Sequence, residues 1–316
     1  MNRSIVIPVY KNELNIPRLL EALESFTGES EQVTEVVFVV DGSPDGSYAL
    51  LKNYLQQPKF PSQLITHSRN FGSFEAIRTG MKYARGTFIG VMAADLQEPL
   101  SLIKTFFHEL ESLQFDIVFG YRMRRRDPLV SKFFSAVFWG LYRRFVVKDI
   151  PKGGVDVFAC NRSVADAVLS IREPNSSLLA QLFWVGFRRT FVPYERLERK
   201  EGKSAWGFAR KLRYMFDSIF SFSDLPIMLL FWVGVGGMVI SSAVSVLVLL
   251  AWFVGWTKVS GYTPIMLAML FFFSVTLFSQ GILGFYLWRA TENTKDRPQG
   301  LVSRHETFEA IDKLVS

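Results

Sequence analysis

The run Phe88-Ile-Gly-Val-Met-Ala-Ala-Asp95-Leu-Gln-Glu98-Pro99 passes from apolar residues to a carboxylate, an amide and a second carboxylate within a few positions. Magnesium takes oxygen ligands and usually only one or two carboxylates from a protein, leaving water and substrate phosphates to complete its shell. Asp95 and Gln97, two positions apart, suit that sparse role for a divalent metal, Mg2+ or Mn2+. They equally suit a plainer one, ending a strand and capping the next helix, with Pro99 near its first position. Asp41-Gly-Ser-Pro-Asp-Gly46 offers a similar choice. Its glycines allow close approach of backbone to a ligand and Asp41 can accept hydrogen bonds from a base or ribose, yet the sequence is also a strong turn former. Neither Gly-x-Gly-x-x-Gly nor Gly-x-x-x-x-Gly-Lys-Ser/Thr occurs, so dinucleotide and Walker-type sites lose their main support.

Alternating elements must position these residues. Ser4 to Tyr10 reads as a buried strand, followed by a helix from about Ile16 to Ser25. Val36 to Val40 is a second strand ending at Asp41, and a helix near Tyr48 to Gln56 leads to a third at Gln63 to Thr66. A helix around Ser73 to Ala84 then leads to the Asp95 edge. This alternation predicts an α/β fold with an open sheet of parallel strands, whose ligands bind at the carboxyl ends. Val9 to Glu13, Asp41 to Gly46, Ser68 to Gly72 and Asp95 to Glu98 all fall at such ends, so four polar segments are expected in one cleft.

The 316-residue chain is 49% hydrophobic, and the excess is concentrated near its end. No charge occurs from Leu225 to Thr257 or from Val259 to Trp288, with only Lys258 between. Each stretch exceeds the roughly 20 apolar residues that cross a bilayer, so residues 225–288 are expected to form a two-helix transmembrane hairpin. Arg210, Lys211 and Arg213 precede it, and Arg289, Lys295, Arg297 and Arg304 follow it. The positive-inside rule therefore puts both termini on the cytoplasmic side of the cytoplasmic (inner) membrane. The apolar run at the N-terminus is too short for a signal peptide.

The single cysteine, Cys160, excludes an internal disulfide framework and suits a reducing compartment. The formal net charge of +7 comes with cations concentrated near Arg122 to Arg126, Arg143 to Lys152 and Arg188 to Arg213; with membrane spans following, that favours anionic lipid or a phosphate-bearing substrate over nucleic acid. Residues 129–147 and 205–224 place aromatic and aliphatic side chains at helical spacing between basic flanks, as interface helices resting in headgroups do. Packing on the soluble core or on another subunit is the alternative. Those faces, with polar Gln280 inside a span, raise the expectation of a homo-oligomer.

With these strand ends in place, the chain resembles the family 2 inverting glycosyltransferases, in the branch of dolichol-phosphate mannose synthase and the bacterial polyprenyl-phosphate (bactoprenol) glucosyltransferases. The residues that carry the likeness are Ile7-Pro-Val-Tyr10 with Glu13, Asp41 to Gly46, Arg69-Asn-Phe-Gly72, Asp95 to Pro99, Gly120-Tyr-Arg122 and Arg199-Lys-Glu-Gly-Lys-Ser204. The resemblance implies a GT-A (Rossmann-like) catalytic domain over residues 1–204, followed by the interface helix, the hairpin and a cytoplasmic tail over 289–316. It implies transfer of a hexose, glucose foremost, from a UDP-sugar to polyprenyl phosphate with inversion.

By the same resemblance Pro8, Tyr10, Glu13, Asp41, Arg69 and Gly72 surround the donor nucleotide, and Asp95 and Gln97 hold the metal. Arg122, Arg196, Arg199, Lys203 and Ser204 meet phosphates, while Asp156 lies near acceptor and sugar. Asp95, Asp156 and Arg122 are the candidate catalytic residues. The chain departs from the family at Ala93, where an aspartate is usual, at Val40, where another often precedes Asp41, and at Ala205, where lysine usually follows the serine. Two other readings stay open: a processive polysaccharide synthase, whose Gln-x-x-Arg-Trp motif is absent, and a non-catalytic nucleotide-binding membrane scaffold.

Overall fold

The computed structural model describes residues 2–29, 32–123, 157–173, 177–197, 261–295 and 300–310, with isolated positions beside them. Strand β1 (Arg3–Val9) and strand β2 (Thr34–Val40) are runs of β-branched residues, and β2 is buried along its whole length. Strands covered on both faces read as continuous apolar sequence, which is why these two are so plain in the chain. Helix α1 (Ile16–Gly28) joins them; α2 (Ser47–Tyr54) leads from β2 to β3 (Ser62–His67), and α3 (Ser73–Tyr83) from β3 to β4 (Phe88–Val91). Then come α4 (Leu100–Glu111), β5 (Ile117–Arg122), β6 (Val157–Asn161), α5 (Arg162–Ser170), α6 (Leu178–Trp184), β7 (Arg189–Tyr194), α7 (Tyr262–Thr294) and β8 (Val302–Phe308).

The eight strands form one sheet in the order β7-β5-β6-β4-β1-β2-β3-β8. Side chains alternate across β1. Ile5, Ile7 and Val9 pack with Leu19, Leu23, Leu51, Phe106 and Phe107 from α1, α2 and α4, whereas Val6 joins Ala76, Met81, Val164 and Phe183 from α3, α5 and α6 on the other face. The chain runs from β1 outward through β2 and β3, then crosses back to β4 on the opposite side of β1. That reversal opens a crevice at the carboxyl ends of the strands, the usual ligand position in such sheets.

The parallel part of the expectation holds for β1 to β4, but the whole sheet is mixed. β6 runs antiparallel to both β4 and β5, and β8 antiparallel to β3. The segment expected as a tail after the second span therefore supplies an edge strand to this sheet. Ser68 N–H donates to Leu301 O at 2.9 Å, and Tyr48 and Lys52 reach Glu306 at 2.7 and 3.0 Å.

Helix α7 has 33 residues, about 50 Å at 1.5 Å per residue. Over Phe271–Thr294 it is long and apolar enough to cross a membrane, and Phe271, Phe273, Leu283 and Leu287 are exposed on it. It continues past residue 288, where the second span was expected to end. One such helix is described; the first expected span, the interface segments 129–147 and 205–224, and the pairing of two helices into a hairpin lie outside the described residues or rest on isolated positions.

Candidate active site

The loops leaving β1 and β2 are laced to each other by short polar bonds. Lys11 N–H donates to Ser43 Oγ at 2.7 Å, Asn12 N–H to Ser47 Oγ at 3.3 Å and Glu13 N–H to Asp45 Oδ2 at 3.1 Å. Glu13 returns the contact by accepting from Gly46 N–H at 2.9 Å. Burial pushes the Asp45 carboxyl up, but hydrogen bonds from Ser43, Ser47 and the Glu13 amide outweigh it and hold the group below the usual aspartate value. Lys11 has φ +55°, a region costly for a residue with a Cβ. Tyr10 is exposed at the mouth of this loop, and Pro8 sits in β1 opposite Val39.

Asp41 is 2% exposed and ties three segments together. Its Oδ1 accepts from Phe71 N–H and His67 Nδ1, both at 2.8 Å, and its Oδ2 accepts from Gly72 N–H at 2.7 Å. A carboxylate offers about four acceptor positions, so little capacity remains for a ligand. Asp41 acts first as the brace that shapes the Arg69–Gly72 loop. The neighbouring Gly42 has φ +57°, and a Cβ there would lie 2.3 Å from the Arg69 carbonyl carbon, so no side chain fits between the loops. Arg69 is exposed, its guanidinium 4.0 Å from the centre of the Phe71 ring.

Behind this brace, in the first turn of α3, burial raises the Glu75 carboxyl to about 7; Arg78 and His67 draw it down and Asp41 pushes it further up.

The Asp95 edge follows β4. Asp95 is half-buried and accepts from Gln97 N–H at 3.3 Å, Leu96 between them has φ +53°, and buried Glu98 accepts from Ala93 N–H at 3.3 Å. Gln97 is 8% exposed and is held from the far side of the sheet. Leu197 N–H donates to its carbonyl at 2.9 Å, its side-chain amide donates to Leu197 O at 3.3 Å, and Arg196 donates to its Oε1. Among the described residues no group of three or more His, Cys, Asp and Glu gathers as a metal cluster. The hard oxygens of Asp95 and Gln97 fit a cation that takes most of its shell from phosphate and water. Gln97 fits once Arg196 withdraws.

Arg122 ends β5 directly opposite Tyr194 of β7, so Arg122 and Arg196 leave neighbouring parallel strands at the same edge. β6 begins at Val157, opposite Gly120. Asp156, Arg199, Lys203 and Ser204 lie outside the described residues. The fold thus brings Tyr10, Glu13, Asp41, Arg69 and Gly72 into one group of linked loops, and Asp95, Gln97 and Arg196 into another. The sequence reading missed His67, Glu75 and the Ser43–Asp45 lacing. A histidine at the carboxyl end of a strand, two residues before Arg69, was the one available signal.

Residues 4–169 match the profile described as glycosyl transferase family 2. The chain is 33% identical to "Uncharacterized glycosyltransferase sll0501" of Synechocystis over 95% of this chain and 94% of that protein. It is 31% identical to "Uncharacterized glycosyltransferase YkcC" of Bacillus subtilis, covering 95% and 93%. It is also 31% identical to the undecaprenyl-phosphate 4-deoxy-4-formamido-L-arabinose transferase of Pseudomonas aeruginosa, covering 95% and 89%.

Proposed function

The chain belongs to glycosyl transferase family 2, and on that premise we propose that it moves a hexose, glucose foremost, from a UDP-sugar to polyprenyl phosphate at the cytoplasmic face of the membrane. One observation carries the reading: a crevice edged by four polar strand ends belongs to a chain that also bears an exposed apolar helix of membrane-crossing length. A polyprenyl tail stays in the bilayer with its phosphate at the surface, so the enzyme must meet it there. The relative named for transfer to undecaprenyl phosphate supports that acceptor class.

The pairing of β8 with β3 supports an even number of crossings. Residues 302–308 share a compartment with the catalytic sheet, so a crossing by α7 needs a second one before it, and the uncharged stretch 225–257 can supply it. The basic residues on both flanks favour the cytoplasm for the sheet.

In the reaction, a phosphate oxygen of the acceptor attacks the anomeric carbon opposite the departing UDP, and configuration inverts. The acceptor phosphate is already ionised near neutral pH, so positioning and charge neutralisation dominate the acceleration. Asp95 and Gln97 are the residues to hold a divalent ion, which would offset charge on the leaving diphosphate. Arg122 and Arg196, with Arg199, Lys203 and Ser204, are assigned to the phosphates. Asp156 is assigned to orienting the acceptor or a sugar hydroxyl; Tyr10, Glu13, Arg69 and Gly72 are assigned to the nucleoside, with Asp41 bracing their loops.

The test is a panel of nucleotide sugars offered with polyprenyl phosphate to the full chain in detergent, with and without chelator. A glycosylated lipid from one UDP-hexose is the expected product. No lipid product from any donor would sink the proposal, and a growing polymer would favour a synthase.

A further inference from the structure

Gly300, which follows the long apolar helix, packs against Thr79 and His67 behind the strand-end loops. His67 lies at the end of β3 with a fully buried side chain, and both ring nitrogens are engaged, Nδ1 with Asp41 Oδ1 at 2.8 Å and Nε2 with Thr79 Oγ1 at 2.9 Å. Asp41 can only accept when ionised, so Nδ1 carries a proton, and in the neutral ring Nε2 accepts from the Thr79 hydroxyl. The ring also meets Phe71 edge-on at 5.4 Å between centroids. Gly300 closes the third side: a Cβ there would lie 3.0 Å from Thr79 Oγ1 and 3.2 Å from His67 Nε2. The imidazole is therefore held between a threonine, the segment after the apolar helix, and the carboxylate that braces the Arg69–Gly72 loop.

We infer that His67 is a positioning residue for the donor nucleotide and that Gly300 makes the segment after α7 a working part of the donor pocket. His67 acts through Asp41. If the imidazole shifts, Asp41 Oδ1 loses one of its two donors, and the carboxylate that accepts from the Phe71 and Gly72 amides loses the side-chain contact that orients it, which loosens the loop carrying Arg69. Arg122 and Arg196, which leave β5 and β7 on the other side of β1 from β3, should be spared. This inference rests on the reading that the crevice takes a UDP-sugar.

Three variants of the full chain test it: Gly300→Ala, which pushes a methyl group at His67 and Thr79; Thr79→Val, which removes the hydroxyl at nearly constant shape; and Thr79→Ser, which restores it. Uridine diphosphate binding is measured by calorimetry in detergent, beside donor and acceptor KM and thermal stability. Gly300→Ala and Thr79→Val are expected to weaken the nucleotide about tenfold, as loss of roughly 1.4 kcal/mol would. Donor KM should rise with acceptor KM unchanged, and Thr79→Ser should bind close to wild type.

Equal affinity in wild type and both weakened variants overturns the inference alone. So does weakening that tracks lost thermal stability, with Thr79→Ser no better than Thr79→Val. A wild-type chain that binds no uridine diphosphate overturns the functional reading and this inference with it.

Discussion

The guanidinium of Arg196 donates to Oε1 of Gln97, 99 positions earlier in the chain, and so puts a positive charge on an oxygen suited to hold a cation. Two like charges cannot share that oxygen without cost. Arg196→Ala should therefore strengthen Mn2+ binding in the absence of donor about fivefold, on the order of 1 kcal/mol of removed repulsion. Gln97→Ala should weaken it. Electron paramagnetic resonance titration of free Mn2+ measures both, and an unchanged affinity in Arg196→Ala would show that the two cations do not compete.

Asp95 is the one carboxylate of that edge that is half-exposed, because Glu98 is buried and engaged by the Ala93 amide. Asp95→Ala should lower transfer by at least about a hundredfold, as loss of a group that neutralises transition-state charge does. Membrane insertion should be intact. Wild-type transfer in this variant would remove the metal assignment.

Glu75 links pH to stability. It ionises at about 4.3 in the unfolded chain, and burial raises it to about 7 in the folded one. Between those values the folded state keeps a proton that the unfolded state has released, so stability falls as pH rises through the window and the whole penalty is present above it. Glu75→Gln should raise Tm by about a few degrees at pH 8 and by progressively less as the pH is lowered to 5. The same gain at both pH values would mean that the carboxyl does not titrate in this window.

The proposed crossings can be checked by cysteine labelling. Burial pushes the Cys160 thiol up to about 12, which leaves almost no thiolate to react, so the native background is low. An impermeant maleimide should label Lys258→Cys in intact cells and Arg297→Cys only after the cells are opened. The reverse pattern would turn the catalytic sheet to the other side of the membrane.

Much of the sheet could be read from residues because strands such as Ile5-Val-Ile7 and Val36 to Val40 are buried on both faces and carry little else. The strand ends were legible for the same reason, as polar residues where apolar runs stop. Val302 to Phe308 was not, since Ser303, Arg304 and His305 belong to an edge strand whose exposed side chains read as a solvated tail. In the site, the types of Asp95 and Gln97 suggested their chemistry, but the grip of Arg196 on Gln97 joins two distant loops and no local pattern records it. Asp41 looked like a ligand group, and the three internal donors it also holds come from loops that no local pattern links to it. A lone histidine such as His67 carries no motif at all.

Because β8 is encoded beyond α7, the outer rim of β3 keeps its unpaired amides and carbonyls while the ribosome makes everything between them. Closure of that rim must await synthesis of the apolar helix and the strand after it, a long-range pairing of the kind that forms slowly. A nascent chain stalled before residue 302 would carry an open strand edge ready to join a neighbour's. With α7 crossing the membrane as proposed, insertion and completion of the sheet become one quality-control step, and polypeptides that fail to insert should be found aggregated rather than as free, active enzyme.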